Sequence, residues 1–550
     1  MPMVTDSAAE GIIRRFEHAV GLRGNWESHW EEIAKRVLPN YSGSFTSQGM
    51  TRSQGEKRTE DMVDATAALA LPKFASVMES MLTPRSSRWH RLVPTDRALL
   101  KNRMTRLWFE DATDILFNYR YAPRANFAAQ AFEGYQSLGA FGTGTLFVDK
   151  LKQGGIRYRS IHLGEIFFIE NHQGIIDTAF RKFPLTARQA RQWFGEERLP
   201  SKIKTALASD KPADQDKEFW FVHCVKPRED YDAGRYDLAG MAFASEYVNF
   251  EEKVTVKEEG YNTFPYPIGR YVQAPGELYG RSPAMLALPA IKTLNEEKRT
   301  VLKQGHRAVD PVLLAHDDGV VDTLSLKPGA VNAGGVTDEG KLLVHALPVG
   351  NLALAREMMD AERFTINDAF LITLFQILVE TPQMTATEVL ERTREKGMLL
   401  SPTMGRQQSE FLGPLIEREL DVLAQQGLLP PMPPMLRDAQ GEYQIEYDSP
   451  LSRAQKAENA AGLFRTVDWL TQAINITQDP SPLDHINFDE AVPAIMDIQA
   501  VPTRWQNSAE QVKAIRDGRA QARAEQQMVD AAPAMASVAK QAGMPAGGAR

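Results

Sequence analysis

PAMLALPAIKTLNEEKRTVLKQGHR (residues 283–307) and NLALAREMMDAERFTINDAFLITLFQILV (351–379) decide the fold, together with the different texture of what separates them. In the first run Leu286, Leu288, Ile291, Leu294, Val301 and Leu302 stand beside a charged face; in the second the apolar set is Leu352, Leu354, Met358, Phe364, Ile366 and Phe370. This patterning predicts helices over about 284–308 and 351–379, each about 30–40 Å long at about 1.5 Å per residue. Neither helix buries its apolar stripe alone. The intervening residues 311–350 break into short runs, PVLLA, GVVDTLSL, GAVNAGG and KLLVHALPVG, and read as a compact β-like insert. One helix goes out, a small unit sits at the far end, and a second helix returns.

Working outward, the flanks are helical on both sides of a strand-rich middle. Ile12, Ile13, Phe16, Val20, Trp26, Trp30, Ile33 and Val37 predict one helix over 7–39, closed by Pro39-Asn40. Residues 40–57 read as a loop. A helix over about 60–82 contains Pro72, which is expected to kink or divide it. Further helices are expected at about 97–119 and 124–137. From Gly139 to about Gly280, GTLFVDK, GIRYRSI, GEIFFIEN, FWFVHCVK, FASEYVNF and KVTVKEE read as antiparallel strands, with a short helix at LTARQARQWFG. Beyond the second long helix, others are expected at about 385–397, 404–426 and 451–475, with the Pro-rich LLPPMPPML between the last two. From about 505 the chain reads as a helix fraying into a mobile tail. The fold class is α+β, mainly helical, in roughly three to four structural units and without internal repeats.

Bulk properties narrow the function. With 43% hydrophobic and 24% charged residues, the 550-residue chain has ample material for a core. MPMVTDSAAEGIIRRFEHAV lacks the basic and apolar regions of a signal peptide. The longest uncharged apolar run, FLITLFQILV (370–379), is about half of what a membrane helix needs. The single cysteine, Cys224, sits in an apolar strand pattern and reads as buried and inert, in a reducing intracellular setting. Net charge is −8 and pI about 5.8. A protein that grips DNA over its whole surface is basic, which this chain is not; acidity is compatible with a channel through which DNA slides, and charge alone decides nothing.

Motifs for chemistry are missing or fail on context. Gly139, Gly142 and Gly144 in GAFGTGTLF lack the Lys-Ser/Thr of a phosphate loop and run helix-to-strand, so they read as a turn. Neither H-E-x-x-H nor G-x-S-x-G occurs. His316-Asp317-Asp318 before Gly319 could nominally bind a metal but reads better as a solvated turn. Asn40-Tyr41-Ser42 and Asn475-Ile476-Thr477 match glycosylation sequons without a secretory signal to expose them. Lys292, Lys298, Arg299, Lys303, His306 and Arg307 share the first long helix with Glu296 and Glu297. They are either a solvated, salt-bridged face or a DNA-facing one, and sequence favours the former. From Ala369 to Val379 no residue is charged, and Thr381-Pro382-Gln383 breaks the helix. Read alone, this is a core helix ending at a proline.

Several stretches in the same order resemble the podovirus head-to-tail connecting (phage portal) protein family. They are Trp30-Glu31-Glu32-Ile33-Ala34 with Pro39, Asp64-Ala65-Thr66-Ala67-Ala68, Leu82-Thr83-Pro84-Arg85-Ser86-Ser87-Arg88-Trp89, Gly142-Thr143-Gly144, Tyr279-Gly280-Arg281-Ser282-Pro283-Ala284 and Met384-Thr385-Ala386-Thr387-Glu388-Val389. The likeness spans about residues 10–480. It implies a portal fold: a wing at 1–280, a first stem helix at 281–310, a small α/β clip at 311–350 and a second stem helix at 351–370. A tunnel loop follows at 371–384, wing and crown helices at 385–480, and a crown or flexible tail at 481–550.

The resemblance also implies a ring of about twelve subunits at one capsid vertex, closed by a head-to-tail interface. Double-stranded DNA would pass through it, and terminase, tail adaptor and tail tube, major capsid and scaffolding proteins would be its partners, in the host cytoplasm during assembly and then in the virion. It implies no membrane, no cofactor, no metal and no catalytic residue. Gln376, Thr381, Gln383, Lys292, Lys298, Arg299, Lys303 and Arg307 become candidates for the tunnel or DNA-facing surface, and His316, Asp317, Asp318 and Lys341 for docking at the clip. Competing readings are another structural virion protein, such as a capsid or tail adaptor protein, and a packaging enzyme, which would need the lysine loop or acidic metal cluster that the sequence lacks.

Overall fold

Asp6 caps the first helix, its carboxylate accepting the Ala8 N–H at 3.0 Å and the Thr255 hydroxyl at 2.6 Å, which also ties that helix to a strand. The structure is a computed structural model that describes residues 6–45, 55–315, 324–348, 350–374, 402–438, 441–448, 450–477, 479, 481–498 and 501–541. Two units divide the chain: Met1–Trp89 with Leu116–Leu428, and His90–Ile115 with Leu429–Arg550.

In the first unit, α1 (Ser7–Gly21) and α2 (Gly24–Val37) replace the single helix expected over 7–39. The break has a cause. Arg23 is buried and donates to the carbonyls of Leu163 (2.7 Å) and Ile166 (2.6 Å) and to Glu27 (2.8 Å), and glycines on either side let the chain turn to deliver it. Next, α3 (Thr66–Leu82) runs through Pro72 undivided. The second unit takes over at β1 (His90–Pro94), a 3₁₀ turn at Arg97–Lys101 and most of α4 (Arg103–Arg120), whose end at 116–120 returns to the first, so the helix expected from 97 is split. Asn102 splits it, its side-chain oxygen capping the Met104 N–H at 2.8 Å. α5 (Phe127–Phe141) ends at Gly142, whose φ of +79° turns the chain directly into β2 (Thr143–Lys150), as the turn reading of GAFGTGTLF requires.

The strand-rich region forms two sheets. β2 lies between β3 (Ile156–Ser160) and β9 (Ile268–Arg270). β4 (Ile166–Glu170), β5 (Ile176–Thr186), β6 (Glu218–Pro227), β7 (Phe243–Asn249) and β8 (Val254–Tyr261) make an antiparallel meander in sequence order. Alternation along β6 explains the layers: Val222 and Cys224 face α1, with Phe16 and Ile12. Phe219 and Phe221 face the opposite side, packed with Ala187, Ala190 and Ile203 of α6 (Ala187–Phe194) and α7 (Ser201–Ala208). A single turn, α8 (Pro212–Gln215), leads back to the sheet.

The two long helices follow. α9 (Pro283–Val309) starts at Ser282, whose hydroxyl accepts the Met285 N–H at 3.0 Å with proline at the first position. α10 (Leu352–Ala369) starts at Asn351; the helix expected to 379 is interrupted at 370–371 and is helical again at 372–374, and its residues 375–379 lie outside the described residues. Phe370 is fully buried, 6.2 Å from Phe74, and Leu371 takes φ +62° while its N–H closes a turn on Asp368 O at 2.9 Å. Burying Phe370 at the root of the helix therefore outweighs continuing it. Between α9 and α10, β10 (Leu313–Ala315) pairs with β11 (Val344–Ala346), and Val336 bridges Leu342. Among the described residues of the insert there is no helix, so the expected α component of a small α/β unit is not found there. The helix expected at 385–397 lies outside the described residues. α11 (Gly413–Gln425) comes after a π turn at Gln408–Leu412.

The second unit pairs β1 with β12 (Tyr443–Tyr447), His90 opposite Tyr447. This pairing goes unread in sequence because both strands are short and far apart along the chain. α12 (Pro434–Asp438), α13 (Pro450–Thr477), α14 (Phe488–Ile498) and α15 (Ala509–Gln541) complete it, and the expected fraying tail is helical to Gln541. Glu110 holds the Thr503 N–H at 2.9 Å, and Arg103 donates to Gln511 at 3.0 Å.

At the centre of the first unit Arg120 and Glu419 form a fully buried ion pair, with Nε 2.9 Å from Oε1, Tyr158 donating to Glu419 at 2.7 Å, and Trp89 and Phe117 over the guanidinium. Removing one charge strands the other in a dry site. Arg120→Met should therefore lower unfolding free energy by about 3–5 kcal/mol, and Arg120→Met with Glu419→Leu by much less, as read from urea denaturation.

Candidate functional site

The α9–α10 pair is where the structure concentrates what the sequence singled out. On the inner side of α9, Leu288, Ile291 and Leu294 are buried, and on α10 Met359 and Ile366 are. Beside them Asn295 points its side-chain oxygen at the backbone N–H groups of Val63 (2.8 Å) and Asp64 (3.0 Å) and donates to Ile291 O at 2.7 Å. Asp64, only 4% exposed, then joins both helices: Lys298 of α9 and Arg363 of α10 each reach its Oδ2 at 3.0 Å. The Thr66 N–H donates to Oδ1 at 2.8 Å. Burial by itself would raise this carboxyl; the hydrogen bonds from Thr66, Lys298 and Arg363 together outweigh it and hold the group well below the usual carboxylate range.

Most of the helix's cations are engaged locally. Lys292 pairs with Glu32 at 2.8 Å, Lys298 with Asp64, and Arg299 with Glu296 at 2.7 Å. Lys303 and Arg307 are exposed, with no ion pair among the described residues. The salt-bridged reading thus accounts for Lys292, Lys298 and Arg299, leaving Lys303 and Arg307 toward the tip. In the insert Lys341 is exposed and pairs with Glu339 at 3.0 Å. His316, Asp317, Asp318, Gln376, Thr381 and Gln383 lie outside the described residues. Sequence reasoning missed the junction itself. Asp64 stood in a recognised stretch, but nothing local connects it to Lys298 or Arg363.

The remaining chemistry-bearing groups are built into the core. His223 bonds through Nδ1 to the Tyr266 hydroxyl (2.6 Å) and through Nε2 to the Ser245 hydroxyl (2.9 Å), resembling a base beside a nucleophile. All three are buried, and burial pushes the imidazole well below its ordinary value. Burial also pushes the Cys224 thiol up to about 12. No group of three or more metal-ligating side chains occurs among the described residues, and no described helix is long and apolar enough to cross a membrane.

The outer side of the helix pair is apolar and uncovered. Leu302, Leu354, Met358 and Phe364 are 50%, 55%, 51% and 62% exposed. Such a surface marks a contact still to be made.

Known proteins match this chain over most of its length. The model of the family described as "Bacteriophage head to tail connecting protein" matches residues 9–506. A "Portal protein" of Salmonella phage epsilon15 is 27% identical over 538 residues, 96% of this chain and 94% of that one. A "Probable portal protein" of Bordetella phage BPP-1 is 30% identical over 507 residues, covering 90% and 88%. Among solved structures, a chain in a "Virion of native gene transfer agent (GTA) particle" aligns with a TM-score of 0.36 at 12% identity, over 73% of this chain and 85% of that one, a likeness too slight to argue from.

The Asp64 junction makes a pH-dependent prediction. Asp64→Asn should lower stability, and Asp64→Ala by about 3 kcal/mol, since Lys298 and Arg363 lose their shared partner. The folded carboxyl is depressed, so its contribution is complete above the unfolded pKa and fades as pH falls toward the folded one. The stability gap between the native chain and Asp64→Asn should hold from about pH 8 to about pH 5 and narrow only below about pH 4. Urea titrations across that range measure it.

Proposed function

The chain belongs to the bacteriophage head-to-tail connecting protein family, and we propose from that premise that it assembles into a closed ring of about twelve subunits through which double-stranded DNA enters and leaves a capsid. It is a phage portal (head–tail connector) subunit and a component of the virion. A capsid or tail adaptor protein is not favoured. The observation that best supports ring assembly is the apolar outer side of α9 and α10, which one copy leaves in water and a neighbouring copy covers.

In this reading α9 and α10 are the stem. Residues 311–350 form the clip, with His316, Asp317, Asp318 and Lys341 toward terminase and then the tail adaptor and tail tube. Residues 1–280 make the wing and 385–480 the wing and crown helices, and 481–550 continue the crown toward capsid and scaffolding proteins. Assembly takes place in the host cytoplasm. Residues 371–384 are the tunnel loop, where uncharged side chains such as Gln376, Thr381 and Gln383 touch DNA without the phosphate contacts that hold it in place. Lys303 and Arg307 are the stem cations left to face DNA. The protein performs no catalysis; the chemistry of packaging belongs to a partner enzyme.

Three measurements test this. Native mass spectrometry and negative-stain images of the purified chain should show closed rings with an axial hole; a stable monomer or dimer at micromolar concentration refutes ring assembly. Rings should show no nuclease or ATPase activity with magnesium or manganese, and an activity abolished by one carboxylate substitution would reverse that. Gln383→Lys should impair DNA packaging or retention by about tenfold while rings still form, because added phosphate contacts hold the DNA. Equal loss of rings and packaging would place that residue in assembly instead.

A further inference from the structure

A groove of about 580 Å³ runs between α9 and α10, lined among others by Lys292, Glu296, Glu297, Val301, Ala355 and Met358. One side of it carries an incomplete charge arrangement. Glu297 Oε2 is shielded from solvent and has no hydrogen-bond partner among the described residues. Burial, with the charge of Glu362 from α10 added, pushes the Glu297 carboxyl up. A shielded acceptor left unmade is destabilising, so a donor supplied from outside would be favoured.

We propose that this groove seats the helix pair of a second copy, and that Arg356 of that copy donates to the Glu297–Glu362 carboxylates. The proposal rests on the ring reading and specifies its contact. Arg356 is the cation that fits. Its side chain is 81% exposed, and its ion-pair partner Asp360 is 4.0 Å away, too long for a hydrogen bond. At about 100° per residue, Ala355, Met358 and Glu362 lie on the groove side of α10, and Arg356 and Asn367 on the opposite flank. The pair is thus concave on one side, where Glu297 has no cation against it among the described residues and Lys292 is already held by Glu32, and presents Arg356 on the other. Complementary faces on opposite flanks are what a head-to-tail contact needs in order to repeat around an axis. Met358 and Leu354, half in water in one copy, line the same contact. The one cation among the described residues lining the groove, Lys292, is taken up by Glu32, and Glu296 and Glu297 stand beside it, which argues against a phosphate backbone as the occupant.

Charge reversal in the full-length chain tests this, with ring fraction read by native mass spectrometry and folding by circular dichroism. Glu297→Lys and Arg356→Glu should each lower the ring fraction at least about tenfold while remaining folded. The double variant should recover it, since the two charges then meet across the contact with their signs exchanged. Rings formed by Glu297→Lys as readily as by the native chain overturn the proposal and leave the groove to another protein. A double variant that stays monomeric overturns Arg356 as the donor. Should Glu297→Lys not fold, the isosteric Glu297→Gln decides: it should need severalfold more protein to assemble, and an unchanged requirement overturns the proposal. A native chain that makes no rings at all sinks the ring reading first and this contact with it.

Discussion

The shared carboxylate of Asp64 is the interaction on which the arrangement of the long helices depends. Lys298 and Arg363 sit on different helices, and each reaches the same oxygen at 3.0 Å. Without that carboxylate the two cations would face each other across the helix pair, Arg363 keeping Asp360 at 2.8 Å and Lys298 left with no carboxylate among the described residues. Asn295 fixes the other side of the junction by holding the Val63 and Asp64 N–H groups, so the acid arrives on a backbone already positioned. Direction, spacing and attachment of α9 and α10 all meet at this one residue.

Much of this was legible in the sequence. Helical spacing placed α9 nearly to the residue, and short alternating or apolar runs identified β6, β7 and β8, because both signals are local. What was not legible depends on partners far away. Arg23 breaks the first helix to reach carbonyls of residues 163 and 166. β1 exists as a strand because β12 pairs with it. α10 stops at Ala369 because Phe370 packs under Phe74, against an apolar run that favours a longer helix. The candidate site divides the same way: the cationic helix was visible, whereas the acids that neutralise it, Glu32 and Asp64, are over two hundred residues earlier in the chain.

On the proposed reading, that neutralisation bears on how a chain of net charge −8 would let DNA pass. Free lysines and arginines along a channel would each release counterions on meeting phosphate, and their sum would set how tightly DNA is held. Lys292, Lys298 and Arg299 are already occupied by carboxylates of the same chain. A phosphate competing for them must displace an acid that is already paired, and gains little. On that reading, the structural use of these cations also limits what they offer to phosphate.

The helix pair also changes character along its length. At the root, Leu288, Ile291 and Leu294 of α9 are buried, as are Ile366 and Phe370 at the end of α10. Past the Asp64 junction, Leu302 and Val309 of α9 and Leu352 and Leu354 of α10 are in water, Val309 at 88% exposure. The root is stabilised by its own chain and the tip is not. Hydrophobic burial contributes about 25 cal/mol per Å², so those side chains gain only when another surface arrives. A single copy is thus a folded base carrying an under-packed projection, and assembly completes what folding leaves open. On the ring reading, clamping the root before the tip is covered keeps the projection oriented for that encounter, so the buried acid at position 64 would serve association as well as stability.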